Sequence, residues 1–253
     1  PVVLASILIV GAPAPAELPA RIDCGGSYPG HLQGIATDGE ATVYWSFMTV
    51  LVRTDLAGNV LTTVDVPNHH GDLCYLDGRL YVAVSDKFNE EGAESRVCVY
   101  DARSLELLET HSIPVVTYGA GGMTHRDGRF YVIGGLEPGL EVNTVYEFGP
   151  EFEGCVEHVL DSGYTLMGIQ TAAYHQGRFY FGCYGDTPLL VADDGLKLLG
   201  HFEGECCLGV ASWDKEHLLV ARNRRTDDGY VGWALLAAPD DDRGLIVVDA
   251  GQL

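Results

Sequence analysis

One pattern returns five times along this chain: an apolar strand, a tight turn and a second apolar strand. Its clearest copy runs from Asn68 to Val84, where Leu73-Cys74-Tyr75-Leu76 and Leu80-Tyr81-Val82-Ala83-Val84 flank Asp77-Gly78. Asp-Gly between apolar runs suits a two-residue hairpin turn, and alternating Leu80, Val82 and Val84 suit a half-buried strand. Gly121–Val132, around Asp127-Gly128, and Gln170–Phe181, around Gln176-Gly177, are close copies. Gly34–Trp45 and Gly209–Val220 are looser ones. Set in one register, Gly34, Gly71, Gly121, Gln170 and Gly209 recur at roughly 37–50 residues, the length of a four-stranded repeat.

Five such units predict an all-β fold, a five-bladed β-propeller of four-stranded antiparallel blades. The fifth unit reads Leu208–Ser212, Leu218–Arg222 and, after a long insertion, Leu245–Asp249 as its third strand. It then lacks an outer strand, and Ala20–Asp23 is expected to supply it and close the ring from the N-terminus. The alternative takes Trp233–Ala238 and Gly244–Val248 as strands three and four, without that closure. Residues 17–253 are read as one domain, since no linker or low-complexity tract interrupts them.

Residues 1–16 (Pro-Val-Val-Leu-Ala-Ser-Ile-Leu-Ile-Val-Gly-Ala-Pro-Ala-Pro-Ala) read as the remnant of a signal peptide, with Ala14-Pro15-Ala16 at the cleavage site. The expected location is secreted or periplasmic, and the apolar run is too short to span a bilayer. The 36 acidic residues against 15 basic ones give a formal charge of −21. That balance argues against nucleic acid, which needs clustered cations, and suits a solvated acidic monomer. Seven cysteines without metal-type spacing predict mostly buried thiols and at most two bridges.

The Asp-Gly-Arg-Phe/Leu-Tyr-Val repeats resemble those of β-propellers, especially secreted bacterial YVTN/NHL-type and quinoprotein-like ones. The likeness covers nearly the whole chain but rests on generic motifs. It implies the fold and no particular activity.

Function is sought where the innermost strands begin, at one end of the central channel. Period-two alternation places Asn68, His70 and Asp72 on one side of their strand and His69 on the other. His31, His70 and Asp72 are the candidate catalytic residues, an imidazole acting as acid or base and Asp72 orienting it. Gln33, Asn68, His69, Tyr118, Tyr164 and Gln170 are candidate ligand-binding residues, since exposed rings beside amides suit sugars. A divalent metal on His31, His69 or His70 with Asp72 is a candidate cofactor, although the spacing matches no strong motif. Carboxylates are too sparse there for an ordinary glycosidase pair. The expected function is therefore an exported propeller that binds, and is a candidate to degrade, an extracellular glycan or other small molecule. A protein-interaction scaffold and a metal-dependent esterase or lactonase are the alternatives.

Overall fold

The computed structural model describes residues 18–67 and 69–248, and its regular elements are twenty-one strands. The signal-peptide reading of 1–16 and Asn68 lie outside the described residues. β1 (Arg21–Tyr28) precedes blade one, formed by β2 (Leu32–Thr37), β3 (Thr42–Phe47), β4 (Val50–Asp55) and β5 (Val60–Asp65). Blade two is β6 (His70–Leu76), β7 (Arg79–Asp86), β8 (Glu94–Asp101) and β9 (Leu107–Ser112). Blade three is β10 (Ala120–Arg126), β11 (Arg129–Gly134), β12 (Asn143–Phe148) and β13 (Cys155–Leu160). Blade four is β14 (Leu166–His175), β15 (Arg178–Tyr184), β16 (Leu189–Asp193) and β17 (Leu198–Phe202). Blade five contains β18 (Val210–Ser212), β19 (Leu218–Thr226), β20 (Gly229–Asp240) and β21 (Gly244–Val247). Blades one to four are antiparallel meanders in chain order, and β2, β6, β10, β14 and β18 touch in a closed inner ring.

Blades pack face to face, so their inner strands are buried on both sides and need continuous apolar runs. Every residue of β2 and β3 is buried, whereas β5 and β9 have none that is. Each junction between neighbours has its own core. Tyr44 and Leu51 meet Val82 and Tyr100 between blades one and two, and Val97 meets Met123 and Phe130 between two and three. Tyr131 meets Phe179 and Phe181 next, then Tyr180 meets Leu218 and Val220. Trp213 and Leu219 meet Trp45 and Phe47 at the fifth junction. At about 1.5–3 kcal/mol for each large apolar side chain buried, these five cores dominate the favourable side of folding.

Blade five departs from the expected strand assignment. Its third strand is the twelve-residue β20, and Leu245 belongs to β21, a hairpin partner of the end of β20. Asp240 Oδ1 accepts the Asp242 and Arg243 N–H groups and so fixes the turn between them. β1 pairs antiparallel with the other half of β20, matching Ile22 with Ala234 and Arg21 with Leu235. The outer position of this blade is thus shared. Leu236 sits at the join: its N–H donates to Ala20 O at 3.0 Å, and its C=O accepts the Val248 N–H at 2.9 Å.

The strand pairing also corrects the repeat register. Leu32, His70, Ala120 and Ile169 are each the last partner before a bulge in their inner strand. Counting on from them puts Gly34, Asp72, Gly122 and Thr171 level, one residue later than the sequence register in blades two to four. Gly209 packs at the same level, where a Cβ would lie 2.9 Å from Ile35 N. A Cβ on Gly34 would strike Asp72, and one on Gly122 would press on the Thr171 backbone at 3.3 Å. Glycines here let neighbouring strands close on the axis. The space they leave holds one carboxylate, that of Asp72.

Candidate ligand-binding site at the inlet end of the channel

The bulge decides which side chains meet. One extra residue in an inner strand breaks the period-two rule and re-aims the side chains beyond it. In blade one the extra residue is Gln33, between Leu32 paired to Phe47 and Gly34 paired to Ser46. Its amide Nε2 lies 2.9 Å from His31 Nε2 and 3.2 Å from His69 Nε2. An amide nitrogen only donates, so both imidazoles accept through Nε2 and carry their proton on Nδ1. Burial lowers the pKa of His31, and burial together with the neighbouring His31 lowers that of His69. Two neutral rings therefore share one amide.

Aromatic groups frame this cluster. His69 stacks on Phe88, with centroids 5.7 Å apart and planes at 4°. Phe88 in turn lies over Gly121, where a Cβ would come within 2.9 Å of the ring. The Tyr184 hydroxyl approaches His31 Nε2 at 3.5 Å, and the Tyr230 ring lies 6.1 Å from the His31 ring. His69 Nδ1 is buried without a partner. A donor left in that condition costs about 1–3 kcal/mol unless a ligand or water meets it.

The other predicted residues divide into two groups. Tyr118 is half-buried beside Glu137 and Leu140, along a shallow depression between the blade-three loops, and Tyr164 is 61% exposed. Gln170 is turned onto its own strand, its amide donating to Met167 O at 2.8 Å. These three take no part in the hydrogen bonds that join His31, Gln33 and His69.

His70 and Asp72 do not face each other or His31. His70 enters the core between blades one and two, donating from Nδ1 to Pro67 O at 2.7 Å and accepting the Tyr100 hydroxyl at Nε2, also 2.7 Å. Burial is the main cause that drives its pKa down to about 4. Asp72 is fully buried on the axis, where its Oδ2 accepts the N–H groups of Met123 at 3.1 Å and Ala172 at 2.8 Å. The bulge between His70 and Leu73 is the physical reason: strict alternation would put the two side chains together, and the extra residue parts them.

Metal ligation by this set meets the same geometry. Among the described residues no three His, Cys, Asp or Glu side chains gather into a group that could hold a metal. Cys206 is buried, Cys207 half-buried, and all seven cysteines are free thiols. Phe88 and Tyr100 are the site and core partners that sequence reasoning misses. Phe88 has one legible signal, as the single aromatic residue in the polar insertion 86–95.

Ring and inlet cluster together define a five-bladed β-propeller with a polar, aromatic-framed cluster over a plugged axis. No protein-family model and no curated sequence matches the chain. Solved structures agree on the fold. A protein of unknown function from Bacteroides caccae is similar with a TM-score of 0.52 and 13% identity, over 91% of this chain and 90% of its own. A chain of a nidogen/laminin complex is similar with a TM-score of 0.50 and 12% identity, over 75% and 71%.

Proposed function

We propose that the chain is a binding propeller whose inlet cluster takes a neutral, hydroxyl-rich molecule of the carbohydrate kind. The observation that carries this reading is the Gln33 amide held between His31 and His69, with the unpaired Nδ1 of His69 beside it. Neutral imidazoles and an amide exchange hydrogen bonds with hydroxyls without demanding charge, and the Tyr184 ring beside His31 offers an apolar face for sugar C–H groups. An anionic ligand would have to approach a chain of formal charge −21.

Binding is favoured over cleavage because two of the three candidate catalytic groups are committed elsewhere. His70 is capped at both nitrogens, and Asp72 lies behind Gly34 with its Oδ2 on backbone donors. A soluble extracellular glycan is the ligand class proposed, with the chain acting outside the cytoplasm. The scaffold reading keeps one supporting observation, the exposed apolar side chains of Tyr164, Leu166 and Met167, of which Leu166 pairs with Tyr184.

Calorimetric titration with a panel of neutral oligosaccharides tests the proposal, using wild type, Gln33→Ala and His31→Ala. Binding by wild type that both substitutions weaken at least about tenfold supports it. Silence across the panel, or affinity untouched by both substitutions, overturns it.

A further inference from the structure

The plugged axis leaves a concavity at the opposite end, where the inner hairpins turn. It has a volume of about 380 Å³, within the range of small-ligand sites. Small side chains make the room: Ala36, Ala172 and Ala211 stand where the innermost strands would otherwise fill the axis. Tyr75, Tyr174 and Trp213 wall it.

We propose that this turn-end cavity binds an organic ammonium cation. Three aromatic side chains line the wall, and the negative face of a desolvated ring attracts alkylammonium groups more than neutral groups of equal shape. Tyr75 is held in place by stacking on Tyr44, centroids 5.7 Å apart and planes at 11°. Tyr174 is anchored through its hydroxyl, which donates to Asp194 Oδ1 at 2.5 Å.

The rim adds a matching charge. The inner hairpin turns of blades one, two, three and five carry Asp38, Asp77, Asp127 and Asp214. Asp38 and Asp127 line the cavity directly, and Asp77 and Asp127 both act on His125 in its wall. Burial opposes ionisation of Asp38, but the N–H groups of Glu40, Ala41 and Thr42 more than offset it and hold its pKa low. Arg126, the one Lys or Arg among the lining residues, is engaged. Its guanidinium donates to the backbone O and, at 3.1 Å, to the Oδ1 of Asp194, and lies 5.6 Å from the Tyr174 ring centre. An incoming cation meets carboxylates that this arginine does not neutralise.

The test uses choline and its uncharged isostere 3,3-dimethylbutan-1-ol, titrated into the whole chain and read by tryptophan fluorescence and calorimetry. Choline should saturate and bind at least about tenfold more tightly than the alcohol. Asp77→Asn/Asp127→Asn, changed at two exposed positions, should weaken choline at least about fivefold while the thermal midpoint holds. Trp213→Phe should abolish the fluorescence change. Equal affinity for the alcohol, no saturable response to choline, or an unchanged choline affinity in the folded double variant would each overturn the proposal. The readout is independent of oligosaccharide binding at the inlet cluster, so either site can fail without the other.

Discussion

The carboxylate of Asp72, on the innermost strand of blade two, accepts the main-chain N–H of Ala172 at 2.8 Å, on the innermost strand of blade four. The same Oδ2 takes the N–H of Met123 in the blade between them. One side chain therefore ties three blades at the axis, and its other oxygen, Oδ1, is buried without a partner.

Burial raises the pKa of Asp72 well above the usual carboxylate range, against the pull of the Ala172, Met123 and Leu73 N–H groups. A carboxyl whose folded pKa is raised gives stability that is complete below its unfolded value of about 4 and is lost as pH rises toward the folded value. Wild type should thus lose stability relative to Asp72→Asn as pH rises above about 4. Asp72→Ala should cost about 1–3 kcal/mol for each N–H left unpaired. Urea midpoints of the three proteins across that range check both statements, and parallel pH curves for wild type and Asp72→Asn would refute the first.

His70 works with the opposite sign. Its folded pKa lies near 4 against an ordinary 6.5, chiefly through burial. Its contribution is complete above about pH 6.5 and is lost as pH falls toward 4, amounting to ~3 kcal/mol. His70→Gln should remove most of that slope. Tyr100→Phe, which strips Nε2 of its donor, should cost about 1–3 kcal/mol at neutral pH. Acid unfolding followed by near-UV dichroism distinguishes the two variants, and a slope unchanged in His70→Gln counts against the assignment.

Removing residues 1–29 deletes β1 together with the buried side chains of Ile22, Cys24 and Tyr28. At about 1.5–3 kcal/mol for each large apolar group, the loss is on the order of 5 kcal/mol. It also bares half of β20 as a strand edge, which invites pairing between molecules. The truncated protein should melt well below wild type and self-associate in sedimentation. Retention of the wild-type Tm as a monomer would show that β1 contributes little.

Cys155 is exposed on the outer strand of blade three, while Cys24, Cys74, Cys98, Cys183 and Cys206 are buried. Partial burial, then Glu157 and Glu147, raises the Cys155 pKa, so its thiolate is scarce at neutral pH. One thiol should label quickly in the native protein, faster as pH rises, and Cys155→Ser should abolish that phase. Reduction should leave the far-UV spectrum unchanged.

How much of this is legible in the sequence depends on how local the signal is. The Asp-Gly hairpins at Asp77 and Asp127 are two-residue events with their own steric logic, and their repetition announces the ring. The bulges are not legible, because nothing in Gln33-Gly34 or Gly71-Asp72 states which residue lies outside the ladder. That single ambiguity moves Asp72 onto the axis and His70 into a core. Blade five resists for a different reason: β20 is twice the usual strand length, and the two strands that share its outer edge, β1 and β21, are far apart in the sequence. The inlet cluster is half legible. His31, Gln33 and His69 stand out in the sequence, but Phe88 reaches them from a loop whose path only tertiary packing fixes.

β21 and β1 run in the same direction along β20, one ending and the other beginning opposite Leu236. Considered as covalent topology, they are a single strand with a nick in its backbone. A short polar linker joining Val248 to Ala20 would heal that nick and turn the chain into a circle without moving any blade. New ends could then be opened at an exposed turn such as Asp77-Gly78, which would show that the order of the blades along the gene is incidental to the ring they form.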